Sequence, residues 1–234
     1  MISLRTYCSF TFAVLVAFAP AAWAADLAER GGIEASPSLK TPASASAPLG
    51  PDGFISRWLL LEPLPGDGRV TDSAVQAAAK KEYFPSQFSV LPRAGDKVTV
   101  NGADYAWHAV ESSRHNINLY HFAYFLGKPT GNVVFWGVTV VESPEEVSGV
   151  RLAVGSNAGS VWWVNGQEVV GIYGDRQTSI DDGVSRKLTL KKGPNIVRFI
   201  VVQNGGMVDC CARFLDSTDQ PLTRLTQTFT AHPN

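Results

Sequence analysis

The stretch LAVGSNAGSVWWVNG, residues 152–166, decides the fold that the sequence predicts. Large apolar and small residues alternate up to a Gly/Ser/Asn cluster. An apolar run follows at 161–164 and ends at Asn165-Gly166. Apolar runs separated by turn residues and ending at an Asn-Gly pair are typical of a β-hairpin. We therefore predict a hairpin at this point of the chain.

A second stretch, LTLKKGPNIVRFIVV at residues 188–202, repeats this plan. Leu188 and Leu190 fall on one face, residues 192–195 form a turn, and a run rich in β-branched residues follows. Short strands at regular spacing with turn residues between them are typical of a sandwich. The predicted fold class is therefore all-β, an antiparallel β-sandwich.

The remaining elements fit the same class. Residues 132–141 are apolar on both faces and predict a central strand. Helical spacing of Val75 and the alanines after Thr71 predicts one short helix, which reaches about Glu82. Further strands are expected at 54–61, 97–100, 105–108, 169–173, 207–214 and 226–229, and the aromatic run 117–126 is also interpreted as a strand.

The first 50 residues are expected to lie outside this fold. Residues 1–24 resemble a secretory signal peptide, with Arg5 near the start, an apolar run and Ala22-Trp23-Ala24 as the cleavage signal. The apolar run is too short for a membrane span, although an uncleaved anchor is the alternative. Residues 25–50 predict a disordered leader, because they contain few large apolar residues. One domain at 51–234, secreted or periplasmic and without membrane insertion after cleavage, is expected.

The composition is sufficient for a hydrophobic core and argues against a nucleic-acid partner. Hydrophobic residues make up 45% of the chain, with six Trp and twelve Phe, and the formal net charge is −1. The sequence shows no basic stripe and no long run of one sign, so we predict no nucleic-acid partner.

Cys210 and Cys211 are the two cysteines outside the predicted signal peptide. Paired cysteines in secreted proteins usually form a disulfide. Neighbouring Cα atoms are about 3.8 Å apart, however, whereas ordinary disulfides span at least about 4.4 Å, so a bridge here would be strained. Two interpretations stay open: a vicinal disulfide, or two reduced thiols on opposite faces of a strand with one of them in the core.

Six segments of the chain resemble one known family: WLLLEPLP (58–65), SPEE (143–146), LAVGSN (152–157), WWVNGQEV (162–169), LKKGPN (190–195) and ARFLD (212–216). They are similar to segments of the galactose-binding-domain-like jelly rolls, modules of many secreted bacterial glycoside hydrolases and esterases that are similar to carbohydrate-binding modules. The resemblance implies a sandwich of the jelly-roll type and a non-catalytic module that binds sugars, with no cofactor except, in some relatives, a structural Ca²⁺.

A sugar site needs exposed aromatic rings for stacking and polar side chains for the hydroxyl groups. In a strand, Trp162 and Trp163 point to opposite faces. Trp162 shares its face with Val164 and is predicted to be core, so Trp163 is predicted to point outward. The alternative is that the aromatic residues are core, as they most often are in sandwiches. The predicted ligand-binding residues are Trp163, Tyr173, Asp175 and Arg176.

Metal sites are weakly indicated. His108, His115 and His121 lack the tight ligand spacing and positioned carboxylate of a transition-metal site. Asp175 and Asp181-Asp182-Gly183 offer oxygen ligands for Ca²⁺ but lack an EF-hand pattern, and a solvated acidic turn is the alternative.

Catalytic motifs are absent from the sequence. In Gly155-Ser156-Asn157 the serine precedes a strand rather than a helix, so it does not match a nucleophile elbow. Glu145 and Glu146 lie in a turn rather than across a cleft. The leading hypothesis is a non-catalytic carbohydrate-binding module. The alternatives are a structural or protein-interaction module of the cell envelope without a small ligand and, third, a hydrolase.

Overall fold

The computed structural model describes residues 30–230, so the predicted signal peptide at 1–24 lies outside the described residues. None of the helices within 30–230 has the length and apolarity needed to cross a membrane. The described chain contains a short 3-10 helix (Ile33–Ala35) and these elements: β1 (Leu39–Lys40), β2 (Ser46–Pro48), β3 (Arg57–Pro65), α1 (Asp72–Lys80), β4 (Lys97–Val100), β5 (Ala103–Ser112), β6 (Ile117–Asn118), α2 (Leu119–Phe125), β7 (Val133–Ser143), β8 (Val147–Ser156), β9 (Gly159–Val164), β10 (Gln167–Ile172), β11 (Gly183–Val184), β12 (Leu188–Leu190), β13 (Gly193–Gln203), β14 (Asp209–Leu215) and β15 (Thr226–Thr228).

The strands form two antiparallel sheets. The large sheet has the order β1-β5-β3-β7-β13-β9-β10, with β4 paired to β5, β15 paired to β7 and β2 paired to β15. The small sheet has the order β11-β8-β14-β6, with β12 also paired to β8. The predicted all-β antiparallel sandwich is confirmed, and β7, the strand expected to be central, lies between β3 and β13.

The main core lies between the two sheets. Alternate side chains of the large sheet point into it, among them Trp58, Trp162 and Phe199. Their rings meet at centroid distances of 4.8 to 5.9 Å, and Trp58 and Trp162 contact each other edge to face. Edge-to-face and tilted arrangements of this kind are favourable for aromatic pairs and add to the burial of apolar area.

A second core covers the opposite face of the large sheet. Trp136 and Trp163 stack there with ring centroids 5.9 Å apart, beneath Phe84 and Phe88 of the segment that follows α1. Helix α1 packs close to β9, because Gly159 has no side chain: a Cβ atom at this position would lie 2.3 Å from Val75 Cγ2. Both faces of the large sheet are therefore covered in its centre.

The hairpin predicted from residues 152–166 is confirmed in one part and wrong in another. Asn165 and Gly166, with φ of 52° and 81°, form the tight turn between the paired strands β9 and β10. Strands β8 and β9 do not pair, because β8 belongs to the small sheet and β9 to the large one. The Gly/Ser/Asn cluster therefore carries the chain from one sheet to the other.

Two local predictions differ from the structure. The aromatic run expected as a strand forms α2, so the sandwich has a second short helix besides the predicted α1. The Asn118 side chain caps α2 by accepting from His121 N at 2.7 Å, and Leu119, Phe122 and Ala123 face the core. The first long strand, expected at residues 54–61, continues as β3 beyond Pro63. Its pairing with β7 is interrupted between Leu61 and Leu64 and resumes at Leu64.

The prediction of a disordered leader at 25–50 is corrected for residues 30–50, the part that the structure describes. Leu39 pairs with Ser112 of β5, and β2 pairs with β15. Ile33, Leu39 and Leu49 all reach the main core, so a few apolar anchors suffice to order a stretch that is otherwise small and polar.

Candidate functional site

The described residues form a cleft of about 560 Å³ between the edges of the two sheets, where the β9–β10 hairpin faces the segment that leads into β12. This volume is in the range of small-molecule sites. The apolar part of the lining is supplied by Val164, Val169 and Leu188. The polar part offers amide, carboxylate, guanidinium, ammonium and hydroxyl groups, from Asn165, Gln167, Glu168, Arg186, Lys187 and Thr189.

Two asparagine side chains fix one end of this cleft. Asn165 Nδ2 donates to Asn195 Oδ1 at 2.9 Å, and Asn165 Oδ1 accepts from Ile196 N at 2.9 Å. Asn195 is fully buried; its Oδ1 also accepts from Lys191 N, and its Nδ2 donates to Lys191 O and Gly193 O. The hairpin turn and the turn before β13 are thereby held together.

Glu168 lies on the β10 wall of the cleft. The regular pairing of β9 and β10 is interrupted between Glu168 and Val170, where β10 bulges. Glu168 is exposed and lies opposite Trp163 in the register. Burial raises the pKa of Tyr173, and the negative charge of nearby Glu168 raises it further. The Tyr173 hydroxyl therefore stays protonated beside this carboxylate at neutral pH.

The opposite wall carries Arg186 and Lys187, which are both exposed. Ser185 anchors this wall to β8: its Oγ accepts from Leu152 N at 2.8 Å and donates to Arg186 O at 2.8 Å. Within residues 30–230, neither Arg186 nor Lys187 forms an ion pair. Their charges are therefore available to a ligand.

Trp163 is the main correction among the predicted site residues. Its side chain does leave the strand on the face opposite to Trp162, as parity requires. That face is not exposed, because Trp136 and Phe88 cover the indole and leave Trp163 only 5% exposed. Trp163 is thus a residue of the second core, and its ring has no free face for a sugar.

The other three predicted residues follow β10 in the chain. Tyr173 packs partly on the second core, and its ring lies over Gly171, where a Cβ atom would be 2.5 Å from the ring. Asp175 is exposed. Arg176 is also exposed, but its guanidinium donates to Asp182 Oδ2 at 2.9 Å and to Tyr173 O at 3.0 Å. Tyr173 therefore lies near the cleft, beside Glu168, whereas Arg176 forms an ion pair with Asp182.

The two cysteines are free thiols, and both are buried. Cys210 lies in the main core. Cys211 lies on the other face of β14, where it is paired in register with Gly155 of β8. This arrangement matches the interpretation as two reduced thiols on opposite faces of a strand.

The acidic and histidine residues considered as metal ligands either contact other side chains of this chain or lie apart from one another. Asp181 accepts from Arg213, and Asp182 accepts from Arg176. Nowhere in residues 30–230 do three His, Cys, Asp or Glu side chains gather as a metal site would require. His108 lies 3.4 Å from Glu62, whose second oxygen meets Lys128 Nζ at 3.0 Å.

Ser156, the serine of the rejected nucleophile motif, is completely buried. Its hydroxyl donates to Ala158 O at 2.8 Å and lies 2.9 Å from Ser160 Oγ. Ser156 therefore stabilises the crossing from β8 to β9.

Sequence reasoning missed the residues that line the cleft, apart from their neighbour Tyr173. The sequence analysis includes Gln167 and Glu168 in the segment that carries the family resemblance and Thr189 in a predicted strand, and it names none of the cleft residues Gln167, Glu168, Arg186, Lys187 and Thr189 as a sugar ligand. A signal did exist in SRKLTLKK, residues 185–192, where basic and apolar residues mix in a short strand.

Neither a protein-family model nor a curated protein matches the chain. Among solved structures, it is similar to a PA14 sugar-binding domain from an RTX adhesin, with 14% identity and a TM-score of 0.43 over 73% of this chain and 96% of that one. It is also similar to the PA14 domain of the MpAFP antifreeze protein, with 14% identity and a TM-score of 0.44 over 82% of this chain and 96% of that one. A β-glucosidase from Kluyveromyces marxianus shows 16% identity and a TM-score of 0.36 over 65% of this chain and 19% of that one. At these identities and TM-scores, the likeness assigns the chain to no family and carries no function to it.

Proposed function

We propose that this protein is a non-catalytic carbohydrate-binding module, and that the cleft between β10 and β12 is its binding site. The observation that carries the proposal is the composition of the cleft lining. Gln167, Glu168 and Thr189 present hydrogen-bond donors and acceptors around an apolar surface that includes Leu188. A sugar ring offers hydroxyl groups at its rim and C–H groups on its faces, and this lining matches both.

The rigidity of the cleft supports binding. Asn165 and Asn195 hold its two turns together, and Ser185 ties the basic wall to β8. A site held in shape before the ligand arrives loses less conformational entropy on binding. This favours recognition of a flexible, highly hydrated ligand such as a glycan.

The absence of catalysis is part of the proposal. Glycoside hydrolysis commonly uses two carboxyl groups that face each other across the sugar, at about 5 to 9.5 Å. Of the described residues that line the cleft, Glu168 is the one with a carboxylate. A single carboxylate without an acid partner suits a hydrogen-bond acceptor for hydroxyl groups.

We expect this binding to occur outside the cytoplasm, in the periplasm or the medium, because residues 1–24 resemble a signal peptide. The resemblance to galactose-binding-like jelly rolls stays a prediction. Ligand contact by Asp175 and Arg176 also stays a prediction. Tyr173 is included in the proposed site because it is a neighbour of Glu168.

Affinity electrophoresis through gels that contain single polysaccharides tests the proposal, with a glycan array to widen the search. We expect at least one polysaccharide to retard the protein, and Gln167→Ala and Thr189→Ala each to weaken the retardation. Gln177→Ala is the matched control, because Gln177 is also exposed but lies outside the cleft lining.

If no polysaccharide retards the protein, or if Gln167→Ala and Thr189→Ala bind like the unmodified protein, the proposal is wrong. The first outcome would favour a structural or protein-interaction module of the cell envelope without a small ligand.

A further inference from the structure

We infer that the ligand of the cleft is an acidic polysaccharide, one whose sugar units carry carboxylate or sulfate groups. This inference rests on the proposed function and adds the chemical class of the ligand. Its basis is a set of four cations along one edge of the sandwich, here called the basic edge: Arg186, Lys187, Lys191 and Lys192.

The basic edge is unusual because its charges have no partners within the protein. All four side chains are exposed, and within residues 30–230 none of them forms an ion pair. Nearby cations behave differently. Arg176 is paired with Asp182 at 2.9 Å, and Arg151 is paired with Asp219 at 3.1 Å. The protein thus pairs Arg151 and Arg176 with carboxylates but forms no such pair at the basic edge.

The placement of the basic edge is fixed by the same contacts that shape the cleft. Arg186 and Lys187 line the cleft directly. Lys191 is held at its backbone, since its N–H donates to Asn195 Oδ1 at 3.1 Å and its carbonyl accepts from Asn195 Nδ2 at 2.8 Å. The basic edge therefore runs from the wall of the cleft to the turn that ends it.

The charge balance inside the cleft favours an anion. Two cations, Arg186 and Lys187, face a single carboxylate, that of Glu168. The formal net charge of the whole chain is −1, so this positive region is local. A guanidinium binds a carboxylate or sulfate through charge-assisted hydrogen bonds, which are about twice as strong as neutral ones. A neutral glycan offers these two cations no charged acceptor.

A polymeric ligand fits better than a small anion. The four cations are spread over seven residues of an extended segment rather than gathered around one point. A repeating polyanion meets such a row at successive sugar units, and each contact adds to binding that weakens as salt screens the charges.

The test uses matched polysaccharides. Polygalacturonate carries carboxylates, its methyl ester is the neutral counterpart, and dextran sulfate with dextran forms the sulfate pair. We expect binding to at least one acidic member to be about tenfold tighter than to its neutral counterpart at low salt, and to weaken as NaCl is raised to 0.5 M, where the Debye length is below about 8 Å. Which pair shows the difference tells carboxylate from sulfate.

The variants separate a specific edge from general charge. The double variant Arg186→Gln/Lys187→Gln is expected to lose about tenfold in affinity for the acidic polymer. The control, Lys80→Gln/Arg114→Gln, removes the same charge from exposed positions outside the cleft and is expected to bind like the unmodified protein.

Equal binding to the acidic and neutral members, or equal losses in both double variants, would overturn the inference while leaving carbohydrate binding intact. Failure to bind any polysaccharide would overturn both.

Discussion

Asn165 Nδ2 donates to Asn195 Oδ1 across 2.9 Å, and this contact joins a turn of one strand pair to a turn that leads into β13. Asn195 is fully buried and makes four side-chain hydrogen bonds. Replacing it with alanine leaves several polar groups without partners, and each such group costs about 1 to 3 kcal/mol.

We therefore expect Asn195→Ala to lower the free energy of unfolding by about 2 to 4 kcal/mol. Urea denaturation followed by tryptophan fluorescence measures this change. Asn204→Ala is the control, because Asn204 is exposed in a turn; it is expected to stay within about 0.5 kcal/mol of the unmodified protein. A similar loss in both variants would contradict the role given to the Asn165–Asn195 contact.

Acid should weaken the fold through Glu62. Burial alone would raise the pKa of this carboxyl, but hydrogen bonds to His108 and Lys128 outweigh it and lower the pKa from 4.5 to about 2. A carboxylate with a lowered pKa stabilises the fold above its unfolded value, and this stabilisation is lost as the pH falls through the folded value.

Between pH 5.5 and 2.5, the unmodified protein should lose about 2 kcal/mol more than Glu62→Gln does, measured by urea denaturation at each pH. Glu146→Gln, at an exposed glutamate outside the described ion pairs, should follow the unmodified protein. Parallel pH profiles for Glu62→Gln and the unmodified protein would rule out this contribution.

Burying Arg198 in the second core costs free energy of folding. It is 2% exposed; Nη2 donates to Val90 O, Nε has no partner, and no described carboxylate pairs with it. Burial lowers the pKa of Arg198 to about 10, so the charged form is penalised at every pH below that value.

Methionine fills a similar volume without a charge. We expect Arg198→Met to leave the melting temperature unchanged or to raise it, since an uncompensated buried charge is removed. Arg198→Ala should lower the free energy of unfolding by about 2 kcal/mol, because it opens a cavity. A large drop for Arg198→Met would show instead that the guanidinium stabilises the fold.

The thiols of Cys210 and Cys211 should be present but unreactive. Burial raises the pKa of Cys210 well above its ordinary value, and burial with the charges of Asp209 and Asp181 raises that of Cys211 to about 12. Since the thiolate is the reactive form, iodoacetamide at pH 8 should modify neither residue in the folded protein.

After unfolding in guanidinium without reductant, both cysteines should be alkylated, as peptide mass mapping would show. A vicinal disulfide gives a different result: the peptide stays unmodified and is lighter by two hydrogen atoms.

The strands were predictable because alternation and turn residues are local signals. Asn165-Gly166 identified its turn, and the apolar run of β7 indicated a strand covered on both faces. The partner of each strand depends on contacts far along the chain, so the sequence did not show that β8 and β9 lie in different sheets. Parity likewise separated Trp162 from Trp163, but it could not show that Phe88, far away in sequence, covers Trp163.

The candidate site was less predictable for the same reason. Glu168 and Arg186 belong to different walls of the cleft and come together only when both sheets have formed. The helix α2 was missed because aromatic residues favour strands, whereas the Asn118 cap and the spacing of Leu119 and Phe122 decided in favour of a helix.

The bulge in β10 also affects how copies of the protein meet. Among residues 30–230, this strand is the last of the large sheet, and one row of its backbone groups has no neighbouring strand there. Such rows are templates for aggregation when they are straight and apolar. Here the row is irregular between Glu168 and Val170, and the strand begins with the exposed polar pair Gln167 and Glu168. An irregular edge that begins with polar side chains is a poor template for pairing with a second copy, so the feature that shapes one wall of the cleft also disfavours association through this edge.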